Sequence, residues 1–334
     1  MEREQTYQIK IEKEEKKENI PKNVFKFFIK NLKFLIIPAS TLEELTLKET
    51  EYEKTVSKRK FIRKLKSPLT LLGIFIVFVL ITLAIFPHWL SPYTFAEVNG
   101  TFWNPFEAPS SIHLLGTTFL GRDVLARIIF GARSSLTVAL PAISVNVIGG
   151  VFLGVIAAYY GGWIDSLIMR IADVFLAFPG LILALVFVGI FGKKIEVIMF
   201  IYAFLGIPGY ARLIRGNVLQ AKELPYVQAA KVAGAKNWRI MFRHILPNII
   251  QPVIITVTFA IGGFILGLAG LSFLGFGDPT FVEWGTDISL ARENLYDAPW
   301  APLFPGLMIL ICVLGFMLVG DGLRDALDPR LTIT

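Results

Sequence analysis

"LTLLGIFIVFVLITLAIFPHW", residues 69–89, runs for 21 residues without an Asp, Glu, Lys or Arg. A bilayer core of ~30 Å is crossed by about 20 apolar residues in a helix, so this stretch is long enough to span. Five further apolar segments follow, at roughly 135–158, 171–191, 195–212, 248–273 and 302–320. A soluble domain of 334 residues buries a sizeable core, but it cannot hide repeated runs of this length. The composition agrees, with 54% hydrophobic residues, 18% charged residues and a mean hydropathy of +0.61. The sequence therefore predicts an all-α, polytopic membrane protein with six transmembrane helices.

Immediately before the first span stands "KRKFIRKLK", residues 58–66. Residues 1–66 hold 17 Lys and Arg against 11 Asp and Glu, whereas the rest of the chain holds 16 against 15. Beside a span such a basic flank marks the cytoplasmic side of a cell membrane, and no nucleic-acid partner is expected. An even number of spans then puts both termini in the cytoplasm. The later loops agree. Arg212, Arg215, Lys222, Lys231, Lys236, Arg239 and Arg243 face Glu223 alone between the fourth and fifth spans. Between the fifth and sixth, Asp278, Glu283, Asp287, Glu293 and Asp297 face Arg292 alone. Lys193 and Lys194, in a short outer turn, run against the pattern and are outnumbered.

Residues 1–66 read as a cytoplasmic N-terminal extension. Their opening residues are charged, so no cleavable signal peptide is expected. "FKFFIKNLKFLIIPA", residues 25–39, is too short and too charged to span. Two readings stand for it: an interfacial amphipathic helix that meets membrane lipid through Lys26, Lys30 and Lys33, or a brace packed on the bundle.

Catalytic constellations are missing from the sequence. It has no GxxxxGK[ST] phosphate loop, no HExxH and no GxSxG. His88, His113 and His244 lie in separate segments without ligand spacing, and read as interfacial or hydrogen-bonded. The lone Cys312 excludes an internal disulfide and reads as a small packing residue. Arg170 and Asp173, three residues apart, are expected to pair on one helix face. Without midspan Asp, Glu or His chains, any driven transport takes its energy from another protein. No cofactor and no metal are expected in this chain, which is not read as an enzyme.

Two glycine pairs, Gly150 with Gly154 and Gly263 with Gly267, have the GxxxG spacing that lets membrane helices approach closely. The other feature is "YVQAAKVAGAKNWRIMFRHILPN", residues 226–248, a small-residue and then basic segment between two spans. It carries Lys231, Lys236, Arg239, Arg243 and His244 but no acid. At 100° per residue, Tyr226, Val227, Ala229, Ala230, Ala233 and Gly234 share one broad, shallow face, while Gln228, Lys231 and Lys236 point elsewhere. Such a face suits the groove of a partner. An ordinary interfacial helix packed on its own bundle is the alternative, and spacing alone does not separate the two.

This segment resembles the EAA signature of permease subunits in type I ABC importers. That signature reads Glu-Ala-Ala, then Gly four residues on, then Ile-x-Leu-Pro ten residues after the Gly. Here Gln228, Ala229, Ala230 and Gly234 are followed by His244, Ile245, Leu246 and Pro247. Gln228 replaces the acid, and His244 is the form associated with the peptide branch. "HLLGTTFLGRDVLARIIFGARSSL" (113–136), "LSFLGFG" (271–277), "APWAPLFPGLMIL" (298–310) and "GDGLRDALDPRL" (320–331) resemble the "C" member of dipeptide/oligopeptide-type permease pairs. The stretch at 278–294 fits less closely.

The resemblance covers about residues 68–331 and implies a type I ABC importer transmembrane domain over 67–334. It implies half of a heterodimeric pore, completed by a second permease subunit, two ATPase subunits that bind ATP and Mg, and an extracytoplasmic substrate-binding protein. It also implies that a cytoplasmic coupling helix, Tyr226, Val227, Gln228, Ala229, Ala230, Ala233, Gly234 and Ala235, docks on an ATPase. Substrates in the subfamily include peptides, oligosaccharides and nickel. A stand-alone channel or secondary carrier is the competing function and would need no docking helix; a membrane scaffold or enzyme is the third.

Overall fold

The computed structural model describes residues 65–327, all within one compact unit, Lys64–Thr334. The expectations for residues 1–64, including the amphipathic segment at 25–39, lie outside the described residues.

Helix α1 (Pro68–Ile85) starts where Ser67 accepts from the Thr70 N–H and Pro68 fills the first turn. Two short helices, α2 (Pro87–Leu90) and α3 (Phe95–Asn99), follow; Thr94 and Glu97 form a capping box on α3. The central element is α4 (Val124–Tyr160), 37 residues long and capped by Asp123. At about 1.5 Å per residue it is far longer than a bilayer is thick, so the second span occupies only part of it. Gly161 and Gly162, at φ +66° and +57°, reverse the chain within a residue into α5 (Gly162–Leu176).

The third span departs from the simple expectation. Residues 171–191 are not one helix: α5 ends, and α6 (Gly180–Phe191) restarts at an angle of 86° to it. Pro179 supplies the reason, since it has no N–H and pushes Phe178 out of the α region. Five helices of the described residues are long and apolar enough to cross a membrane, or six when this bent pair counts as one span.

The fourth span joins α7 (Ile195–Leu205) to α8 (Ile207–Ala221). At this junction the amide of buried Asn146 of α4 faces the carbonyls of Ala203 and Tyr202, and with its nitrogen assigned to that side it donates to both, to the latter at 3.2 Å. A polar group in a membrane interior needs such partners. After α9 (Pro225–Val232) and α10 (Asn237–Arg239), a π-helical turn over Ile240–Ile245 leads to α11 (Leu246–Ile249) and α12 (Gln251–Leu271). The chain then forms α13 (Trp284–Ala291) and finishes with α14 (Trp300–Leu327).

Close glycine contacts set the spacing of the helices. A Cβ on Gly150 would lie 2.3 Å from the Tyr210 Cβ, and one on Gly154 would lie 2.5 Å from the Ala211 carbonyl oxygen. Both glycines therefore seat α8 against α4. The second expected pair behaves differently. Gly267 approaches Tyr202, but Gly263 faces open space with nothing within 4 Å. Its neighbour Gly262 turns towards α14 instead. Along α1 and α14, Gly73 and Gly315 do the same work without GxxxG spacing.

Ion pairs lock two further contacts. Asp165 of α5 takes a two-oxygen contact from Arg215 of α8, with both distances 2.6 Å. Asp173 pairs with Arg212 of α8 rather than with Arg170, contrary to the sequence expectation. Cross-helix packing has brought α8 nearer to Asp173 than its own helical neighbour.

At the opposite end, α13 folds back onto the start of α4. Trp284 is buried and donates from Nε1 to the Ile128 carbonyl at 3.3 Å. Arg127 and Asp287, 1% and 2% exposed, form a buried ion pair with both oxygens at 2.7 Å. Glu283 caps α13 by accepting from the Thr286 N–H, and burial pushes its carboxyl up from the ordinary carboxylate range. His113 is hydrogen-bonded, at 3.0 Å from Asp123.

Two large apolar cores result among the described residues, beside a small cluster of Val98, Ala126, Phe130 and Val282. One joins α1, the first half of α4, α6, α7, α12, α13 and α14. The other joins the second half of α4 to α8, α9, the π turn and α12. Only the second reaches the basic loop.

Candidate coupling surface

Pro225 opens α9 at a position where its missing N–H is harmless. The helix lasts eight residues and stops in a Schellman arrangement. The Ala235 N–H reaches the Ala230 carbonyl and the Gly234 N–H reaches the Lys231 carbonyl, each at 3.0 Å. Gly234 has φ +75°. Ala233 is thus the C-cap, and Gly234 and Ala235 lie past the end of the helix. The sequence reading placed Gly234 on the helical face; the turn removes it, because glycine fits the left-handed region at little cost.

The broad face expected from sequence divides in two. Val227 is fully buried and shares a cluster with Ile214, Val218, Ile240, Met241 and Ile245, with Ala230 and Ala235 packed against it. Tyr226, Gln228, Ala229, Ala233 and Gly234 stay exposed. Val232, not among the expected residues, is 90% exposed. One side of α9 is therefore clamped to the bundle while a small apolar surface of Tyr226, Ala229, Val232 and Ala233 faces outward.

Polar contacts hold the clamp. Gln228 Nε2 donates to the Lys222 carbonyl at 3.0 Å, at the end of α8. A Glu at this position has no proton to donate when ionised, so Gln makes a tie here that the acid of the signature does not. Lys222 Nζ donates to the Ala158 carbonyl at 3.2 Å, and the Tyr159 hydroxyl donates to Asn237 Oδ1 at 2.9 Å. Lys231 Nζ lies 6.0 Å from the centre of the Tyr159 ring, at the limit of a cation–π contact. The base of α9 is thereby fixed to the last turns of both α4 and α8.

Behind it, the basic part of the signature forms the π turn. The Leu246 N–H reaches back five residues to the Met241 carbonyl, and Asn248 Nδ2 donates to the His244 carbonyl at 2.7 Å. Lys236, Arg239 and Arg243 are exposed. Trp238, 61% exposed, with its ring centre 4.0 Å from that of Phe242 and tilted 36° to it, also lies on this surface. Exposure of Val232 and Trp238 had no sequence signal, because apolar residues beside a span look like core.

Residues 150–333 match the family of binding-protein-dependent transport system inner membrane components. The chain belongs to that family. The match includes all of α8, α9 and the π turn. The permease is 42% identical over 285 residues to the dipeptide transport system permease protein DppC of Alkalihalophilus pseudofirmus, covering 85% of this chain and 93% of that one. It is 44% identical over 260 residues to the glutathione transport system permease protein GsiD of Pectobacterium atrosepticum, covering 78% and 86%. The corresponding GsiD of Escherichia coli O6:K15:H31 is 41% identical over 256 residues, 76% and 84% of the two chains. The permease is thus a multi-pass membrane subunit of an ABC importer, of the dipeptide/oligopeptide type, and a transport component rather than an enzyme.

Proposed function

We propose that the permease forms one half of a heterodimeric pore that imports short peptides, with α9 as the docking element for an ATPase. The named substrates of its relatives, dipeptides and glutathione, are both short peptides, which supports that class over oligosaccharides or nickel. In this reading an extracytoplasmic binding protein delivers the solute to the acidic end, and two ATPases hold ATP and Mg at the basic, cytoplasmic end. Both termini are cytoplasmic. Residues 1–66 are read as an N-terminal extension that precedes the pore-forming domain at 67–334.

The observation that carries the docking role is Val232. A valine left 90% exposed on a helix anchored to the bundle by fully buried Val227 is a surface built to be covered. Motion imposed there has a short route inward: Val227 and Gln228 pass it to α8, and Lys222 and Tyr159 pass it to α4.

Val232→Asp tests this. It places a charge in the docking surface without touching Val227. The variant is expected to insert and to keep its partner permease, yet to lose co-purifying ATPases and to cut uptake about tenfold or more, as loss of a central apolar contact does. Lys231→Ala, on the same helix, is expected to be milder. Normal uptake by Val232→Asp with both ATPases attached would remove α9 from the coupling route.

A further inference from the structure

The outward surface of α1 is apolar throughout, with Leu69, Leu72, Phe75 and Phe78 about half or more exposed. That is the surface of a helix facing lipid. The exposed line on α4 is different. Arg133, Thr137, Pro141, Ser144, Ile148 and Phe152 recur every three or four residues and are all exposed. The line opens on the Arg133 guanidinium just ahead of the second span. Ser144 is satisfied within its helix by the Leu140 carbonyl at 2.7 Å, but the Thr137 hydroxyl has no hydrogen-bond partner among the described residues. Such polar groups suit a water-filled cavity rather than hydrocarbon.

Arg133 is also chemically idle. Arg127 on α4 and Arg212 and Arg215 on α8 are each paired with an aspartate. Arg133 has no hydrogen-bond or ion-pair partner among the described residues. It lines a recess of ≈ 370 Å³ together with Ser134 and Thr137, and His88, Phe95 and Phe281 form the rest of the rim. Phe130 sets the floor, with its ring edge-on to His88 at 5.2 Å and to Phe95 at 5.5 Å. The volume falls within the ~300–1,000 Å³ of small-molecule sites.

One turn further along, Pro141 has no N–H to give to the carbonyl of Thr137. The recess thus holds charged donors at Arg133 and, one turn along, Thr137, whose hydroxyl can accept and whose carbonyl lacks its helical N–H partner. A carboxylate followed by an amide N–H matches that order, and the aromatic rim suits an attached side chain.

We propose that Arg133 and Thr137 form a station for the C-terminal carboxylate and last amide of a peptide passing from the binding protein into the pore. The proposal rests on the peptide reading above. The station lies at the acidic end, beside the Arg127–Asp287 pair that fixes α13. Here Arg133 is a substrate-contacting, specificity-determining residue.

The test uses the complete reconstituted importer with saturating, loaded binding protein. Uptake of dialanine is compared with uptake of its C-terminal amide, in wild type, Arg133→Gln and Arg133→Lys. Arg133→Gln is expected to slow dialanine about tenfold or more, the scale of a lost charge-assisted hydrogen bond, while the amide continues at the wild-type rate. Arg133→Lys is expected to fall between. Because the binding protein is the same throughout, its own preference cancels in the ratio.

Equal slowing of both peptides, or of neither, overturns the station. Loss of the partner permease from the Arg133→Gln complex would assign the arginine to a subunit contact. Phospholipid that stays with wild type but leaves Arg133→Gln, with peptide discrimination unchanged, would assign it to a headgroup; either result overturns the proposal. Failure of wild type to carry either peptide sinks the peptide reading itself, and the station with it.

Discussion

Gly234 shows how one residue's role turns on backbone rather than side chain. Its φ of +75° and its open surroundings mean that a Cβ there meets no neighbour but strains the chain. Gly234→Ala is therefore expected to weaken the end of α9 by roughly 1–2 kcal/mol, despite alanine's better helix propensity. Gly234→Asn is expected to be milder, because asparagine tolerates the left-handed region. Amide exchange across residues 225–236 reads the difference, and protection equal to wild type in Gly234→Ala would contradict it. The sequence displayed the glycine and its spacing from Ala230, but a glycine serves equally as a flat contact surface or as a helix stop. Gly150 and Gly263 divide in the same way, since identical spacing puts one against α8 and the other in open space.

Among the elements, α13 depends most on a contact that the sequence hides. Arg127 and Asp287 are 160 residues apart and nothing local relates them. Removing one partner of a buried pair leaves an uncompensated charge and costs ~3–5 kcal/mol, whereas replacing both with apolar residues of similar size is often near neutral. Asp287→Ala is expected to destabilise the acidic end by that amount, and Arg127→Met with Asp287→Leu to recover most of it. Thermal unfolding of the detergent-solubilised importer measures both. A double variant as unstable as the single one would mean that the pair does more than neutralise charge. The break between α5 and α6 was legible in part: Pro179 was visible, but the 86° angle and the pairing of Asp165 and Asp173 with α8 were not.

On the scale of the whole molecule, the two ends differ in charge, and that difference is what orients a membrane protein. Cysteines placed singly at Trp238, beside the basic π turn, and at Thr280, in the acidic loop, are both at exposed positions. They are expected to react with an impermeant thiol reagent from opposite faces of sealed membranes, Trp238→Cys from the cytoplasmic face. Reaction from the same face would overturn the proposed topology. The buried Cys312 is expected to stay silent, which leaves a clean background.

Span length, charge asymmetry and the spaced signature are properties of neighbours along the chain, so the sequence by itself determined the all-α membrane class, the basic loop and the family. Hydrocarbon thickness and loop charge act on contiguous segments, and no folding step is needed to read them. Which side of α9 is clamped, which glycines touch, which aspartate meets Arg212 and why Arg133 is left unpaired were decided only in three dimensions. Each depends on distances between helices that are far apart in sequence. Within spans that are mostly apolar, no local pattern separates a residue facing lipid from one facing a neighbour or a cavity.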